Sequence, residues 1–245
     1  MKRTIQVLLS SIMIIMFDRC GEHVESLSLS HEEVAEMTAT AIAESTSGLT
    51  MIIDTSLHVT TAILHDGDYC DYLENKSFTS TNADGAEHYF KYDYDYAYEV
   101  SCTGTAPQSL STNVTFKGEF DSKRLTSQHR GMVDLVTTGL DNASANYTVN
   151  GDYESDGTYE SRISDQSEGN NSLDIALANA VVRKSDGHFL SGTANVVISG
   201  FLADKRPYNA GATVTFNGDK TFTVNVRGVL FSVDIYTGAV KQITK

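Results

Sequence analysis

The chain predicts a mainly β protein: an antiparallel meander sheet, curled into a half-barrel or folded as a sandwich, with one short helix near the amino terminus. Three observations carry this. Apolar and polar residues alternate in run after run, most plainly in "HYFKYDYDYAYEVSC" (88–102), where Tyr92, Tyr94, Tyr96, Tyr98, Val100 and Cys102 take every second position. Turn dipeptides punctuate the runs, among them Asn150-Gly151, Asp156-Gly157, Asp186-Gly187, Asn217-Gly218 and Arg227-Gly228. Trp is absent and Pro occurs only at 107 and 207, whereas Gly, Thr, Ser, Asn, Asp and Tyr are plentiful. Connections this short join antiparallel neighbours, because parallel pairing needs a crossover segment.

In chain order, residues 1–19 read as a signal sequence. Lys2 and Arg3 form a basic start and Thr4 to Phe17 an apolar stretch, which as a helix covers only about 21 Å, short of the roughly 30 Å hydrocarbon core. Cys20 follows directly, where a bacterial lipoprotein carries its lipidated residue. Phe17, Asp18 and Arg19 stand where a lipobox has a Leu-like residue and small ones. The alternative is an ordinary secretion signal, or an uncleaved short anchor, with Cys20 incidental. Residues 20–29 form a polar tether, and 30–245 a single β-rich domain.

The domain opens on a helix. Ser30 and Glu33 have capping-box spacing, and Val34, Met37, Ala41 and Ile42 recur at helical spacing. The spacing predicts one amphipathic helix over 31–47 that stops at Gly48 and covers one side or open end of the sheet. The segment 51–64 fits neither a helical nor a strand period cleanly. Strands are expected at 77–80, 88–101, 109–120, 131–135, 145–153, 158–164, 172–183, 188–202, 212–216, 221–226, 229–235 and 239–243. Cys70 and Cys102 fit a disulfide formed in an oxidising compartment.

The tail "SGTANVVISGFLADKRPYNAGATVTFNGDKTFTVNVRGVLFSVDIYTGAVK" resembles the carboxy-terminal part of uncharacterised exported lipoproteins of Bacteroidota bacteria, which end in a "TITFNG…ATVTINGxxYxVDLxTGxV" pattern. The resemblance implies a compartment, the cell envelope at the outer membrane or in the periplasm, and a β fold.

For function, the formal net charge of −14, without long blocks of either sign, argues against nucleic acid and anionic membrane surfaces as partners. The chain lacks His-Glu-x-x-His, Cys-x-x-Cys, Gly-x-Ser-x-Gly and phosphate-binding glycine patterns. No catalytic residue, metal ligand or cofactor is therefore assigned. The face of Tyr92, Tyr94, Tyr96 and Tyr98 is expected to be core, with a ligand platform as the alternative. Asp66, Asp68, Asp71, Asp93 and Asp95 would cluster, and could hold calcium, if a Cys70–Cys102 bridge drew their segments together. The expectation is a non-enzymatic envelope protein with a binding or structural role, held to the membrane through Cys20. Its alternatives are a carrier of lipid or another hydrophobic ligand, and a surface glycan-binding or adhesive module.

Overall fold

Alternation along the chain becomes pairing between strands in a computed structural model, which describes residues 29–66, 70, 72–82, 86, 88–141, 143–163 and 167–244. The expected signal sequence, Cys20 and nearly all of the expected tether lie outside these. The strands are β1 (Leu73–Thr81), β2 (Tyr89–Thr103), β3 (Ala106–Asp121), β4 (Leu125–Thr138), β5 (Asn146–Ser161), β6 (Glu168–Arg183), β7 (Phe189–Leu202), β8 (Pro207–Phe216), β9 (Thr221–Val226), β10 (Val229–Asp234) and β11 (Val240–Gln242). They form one sheet in chain order, every neighbour antiparallel, and it is not closed into a barrel. A sandwich would need two sheets. From β2 to β10 alternate residues on one face are buried, and among the described residues only two helices cover them, so the sheet curls around the helices.

The expected short N-terminal helix is present, joined by a second where the sequence was ambiguous. The first, α1 (His31–Ile42), starts at the predicted capping box: Ser30 Oγ accepts from the Glu33 amide and Glu33 accepts from the Ser30 amide. It ends five residues earlier than expected, because Ala43 is extended and the amides of Glu44 and Ser45 donate to the carbonyls of Ile235 and Tyr236 beyond β10. Threonine hydroxyls complete the stop, Thr46 donating to the carbonyls of Thr40 and Ala43, and Thr50 to that of Ile42. Gly48, read as a stop, sits where a Cβ would overlap the carbonyls of Ala41 and Ala43, and α2 (Leu49–Asp66) begins directly after it. The ambiguous segment 51–64 is therefore helix.

Every residue of α1 from Glu33 to Ile42 is buried, so α1 is enclosed all round and is not a cover on one side. Its small side chains Ala35, Thr38, Ala39 and Ala41 let it fit inside the curl, and the Thr38 hydroxyl bonds back to the Val34 carbonyl. Glu36 is also buried. Burial pushes its carboxyl above the usual range, although Arg124 in the β3–β4 turn pairs with it and with Glu32.

The strands also differ from expectation. β5 runs unbroken through Asn150-Gly151 and Asp156-Gly157, which predicted turns: Gly151 lies at a bulge against β6, and Gly157 pairs with His129. The other three dipeptides do turn the chain, with positive φ at Gly187, Gly218, Arg227 and Gly228. Cys70 and Cys102 are bonded as expected and tie the segment before β1 to the end of β2. With a separation of 32 residues, removing the bridge by Cys70→Ser with Cys102→Ser should lower stability by about 3–4 kcal/mol in urea unfolding at pH 7.

Candidate functional site

The tyrosine strand lies against the helices. Tyr92, Tyr94, Tyr96 and Tyr98 are 3%, 1%, 2% and 1% exposed, so they form core and no surface platform. Their rings follow one another at centroid spacings of 6.0, 5.9 and 5.6 Å, and Phe78 of β1 closes over Tyr94 and Tyr96 at 5.5 and 5.3 Å. The Tyr94 hydroxyl donates to the Ser47 carbonyl at 2.6 Å, which fixes the turn between α1 and α2 to the sheet. The Tyr98 hydroxyl is buried without a partner. Desolvation raises the hydroxyl pKa of all four above the usual tyrosine value.

Next to this face, beneath Met37, Thr40 and Ala41 of α1, is a cavity of about 20 Å³ lined also by Ser127, His129 and Asn171. That is room for about one water. His129 Nε2 lies 3.5 Å from Ser127 Oγ, while its Nδ1 and the Asn171 Oδ1 have no protein partner. Burial pushes the His129 pKa down to about 4. A serine and a histidine this close invite comparison with a nucleophile and its base, but the cavity has no room for a substrate.

The opposite, outward face carries two wide hollows. Antiparallel register places Asp93 of β2, Lys117 of β3, Arg130 of β4 and Asp156 of β5 directly opposite one another in a single row. This row is shared by two adjoining hollows of about 630 and 480 Å³. The first extends to Lys91, Glu119, Gln128 and Thr158, the second to Asp95, Thr115, Met132 and Glu154. The depression has a cause in the sequence. Lys117, Arg130 and Asp156 are each followed by an inward-facing glycine, and a Cβ on Gly118 would overlap the Tyr92 ring, on Gly131 the Phe116 ring, and on Gly157 the Gln128 carbonyl. No side chain therefore holds these strands away from the layer beneath, where the outer face carries its hollows.

Of the expected carboxylate cluster only Asp93 and Asp95 are described in full, and they lie away from the bridge. Asp68 and Asp71 lie outside the described residues, as does the side chain of Asp66. Asp93 and Asp95 face outward, accepting from the hydroxyls of Thr79 and Ser77, and Asp95 is seven residues, about 23 Å along an extended strand, from Cys102. Among the described residues no group of three or more His, Cys, Asp or Glu is arranged to hold a metal, and no helix is long and apolar enough to cross a membrane. Sequence reasoning missed Lys117 and Arg130; the signal available was the recurrence of a charge followed by glycine in three successive strands. The chain matches no protein-family model, no curated protein and no solved structure.

Two measurements check the interior. Tyr94→Phe should cost about 1–2 kcal/mol by stranding a buried carbonyl, while Tyr98→Phe, which removes an unpartnered hydroxyl, should leave stability unchanged or raise it, both read in urea unfolding. His129 titrates at about 4 folded against 6.5 unfolded, so as pH falls the unfolded chain takes up the proton first. The stability present above pH 6.5 should decline between 6.5 and 4, by on the order of 3 kcal/mol from this residue, and His129→Leu should remove that part of the slope.

Proposed function

We propose that the chain is an exported, non-enzymatic binding protein of the cell envelope, tethered to the membrane through Cys20, which offers the groove over β2 to β5 to a polar ligand. The observation that carries the reading is the outer groove itself: a wide hollow on a rigid sheet, where carboxylates, cations and hydroxyl groups converge. The enclosed interior supports a binding role over catalysis, since the Ser127–His129 pair is sealed beneath α1. The basic start and apolar stretch before Cys20, and the disulfide, support export. An anionic membrane surface is a poor partner for a chain of net charge −14.

A second reading, a carrier of lipid or another hydrophobic ligand, is favoured by one observation. The contact between helices and sheet contains buried polar atoms without partners, on Tyr98, Thr112, His129 and Thr137, which lowers the cost of separating the helices from the sheet. A ligand would then replace the helices on the apolar face.

The intact, unreduced mass of the native protein separates these readings. The tether predicts a chain that begins at Cys20 with added acyl groups, and a mass that begins elsewhere without lipid removes it from the proposal. The carrier reading predicts co-purifying lipid in an organic extract beyond the covalent acyl groups; a lipid-free extract of native material counts against that reading and leaves the groove as the binding surface.

A further inference from the structure

The centre of the outer groove holds two adjacent cations between two carboxylates. Lys117 and Arg130 are directly opposite on neighbouring strands, where like charges repel, and Asp93 and Asp156 stand opposite their outer sides in the same row. The chain has 32 acidic residues against 18 Lys and Arg, so adjacent cations in the middle of a hollow are not a consequence of composition. Close ion pairing is slight. Lys117 Nζ is 4.0 Å from Asp93 Oδ2, with both side chains at least half exposed, and among the described residues neither Arg130 nor Lys91 has a carboxylate within 4 Å. Arg130 therefore keeps its planar set of donors free for an oxyanion, which it is shaped to bind with two parallel hydrogen bonds.

The surroundings narrow the class. Asp93 and Asp156 stand at either end of the cation pair, with Glu119, Gln128 and Thr158 along one hollow and Thr115 and Glu154 along the other. These are acceptors for hydroxyl groups, and the carboxylates repel a second anion. Met132, 46% exposed, adds an apolar surface at one end. A flat membrane does not enter two hollows, whereas a branched or chain-like saccharide does. Resting on the reading of the groove as the binding surface, we propose that Lys117 and Arg130 form a receptor for a single oxyanion on a hydroxyl-rich ligand: a saccharide bearing a phosphate or carboxylate group.

The test is calorimetric titration of the full chain with glucose 6-phosphate, glucuronate, inorganic phosphate and uncharged glucose, at 10 and 150 mM NaCl. The proposal expects both charged sugars to bind, inorganic phosphate more weakly, glucose not at all, and binding to weaken at the higher salt. Lys117→Gln and Arg130→Gln should each weaken binding at least ten-fold with the Tm unchanged or raised, and Arg130→Lys should retain part of it. Binding of charged sugar and glucose with equal affinity would overturn the anion receptor and keep the groove as a saccharide site. Heat from none of the four would overturn both, and a lowered Tm in both Gln variants with binding intact would make the row a structural network.

Discussion

A sheet of eleven strands in simple order has one apolar face, and among the described residues only two helices are available to close it. The sheet must therefore bend until its own edges and the helices share the burial, and the helix at the centre must be narrow. α1 meets that demand with alanine and threonine at five of its twelve positions. Thr38 returns its hydroxyl to the helix's own Val34 carbonyl, which lets a polar residue stand in a closed space. The charged end of α1 is held by Arg124 and by Ser167, which donates to Glu33 from the β5–β6 loop. Hydrogen bonds from Ser167, Ser30 and Ser161 outweigh desolvation and hold the Glu33 carboxyl below the usual range.

The tyrosines of β2 follow from the same constraint. Larger rings span the space between the curled sheet and α2 that aliphatic side chains would leave partly empty, and a hydroxyl at the far end can satisfy a loop carbonyl, as Tyr94 does for Ser47. This solution is incomplete. Tyr98, His129 and Asn171 leave polar atoms unmatched in the interior, so the region between helices and sheet is less tightly specified than the pairing of the strands.

The two faces of β2 to β5 are coupled through glycine. Where an inward position lacks a side chain, a neighbouring ring folds into the space, as Tyr92 does at Gly118 and Phe116 at Gly131. The hollow outside and the aromatic layer inside are thus two consequences of one set of residues, and the charges that precede the glycines come to surround the hollow.

Much of the fold was legible from local pattern. Period-two alternation marked most strands, the Ser30–Glu33 spacing marked the start of α1, and the phase of Cys102 with the tyrosines fitted a buried strand end joined to Cys70. Local signals failed where tertiary contacts overrode them. Backbone bonds to the segment after β10 ended α1 early, and pairing with β4 and β6 carried β5 through two dipeptides that turn the chain elsewhere. The row from Asp93 to Asp156 was beyond sequence reading for a physical reason: its members are far apart in the chain, and only the register of four paired strands makes them neighbours. The sequence by itself determined which residues face in and which face out. Tertiary structure decided how far the sheet curls and which charges meet, because both depend on strand register and on the volume that α1 occupies within it.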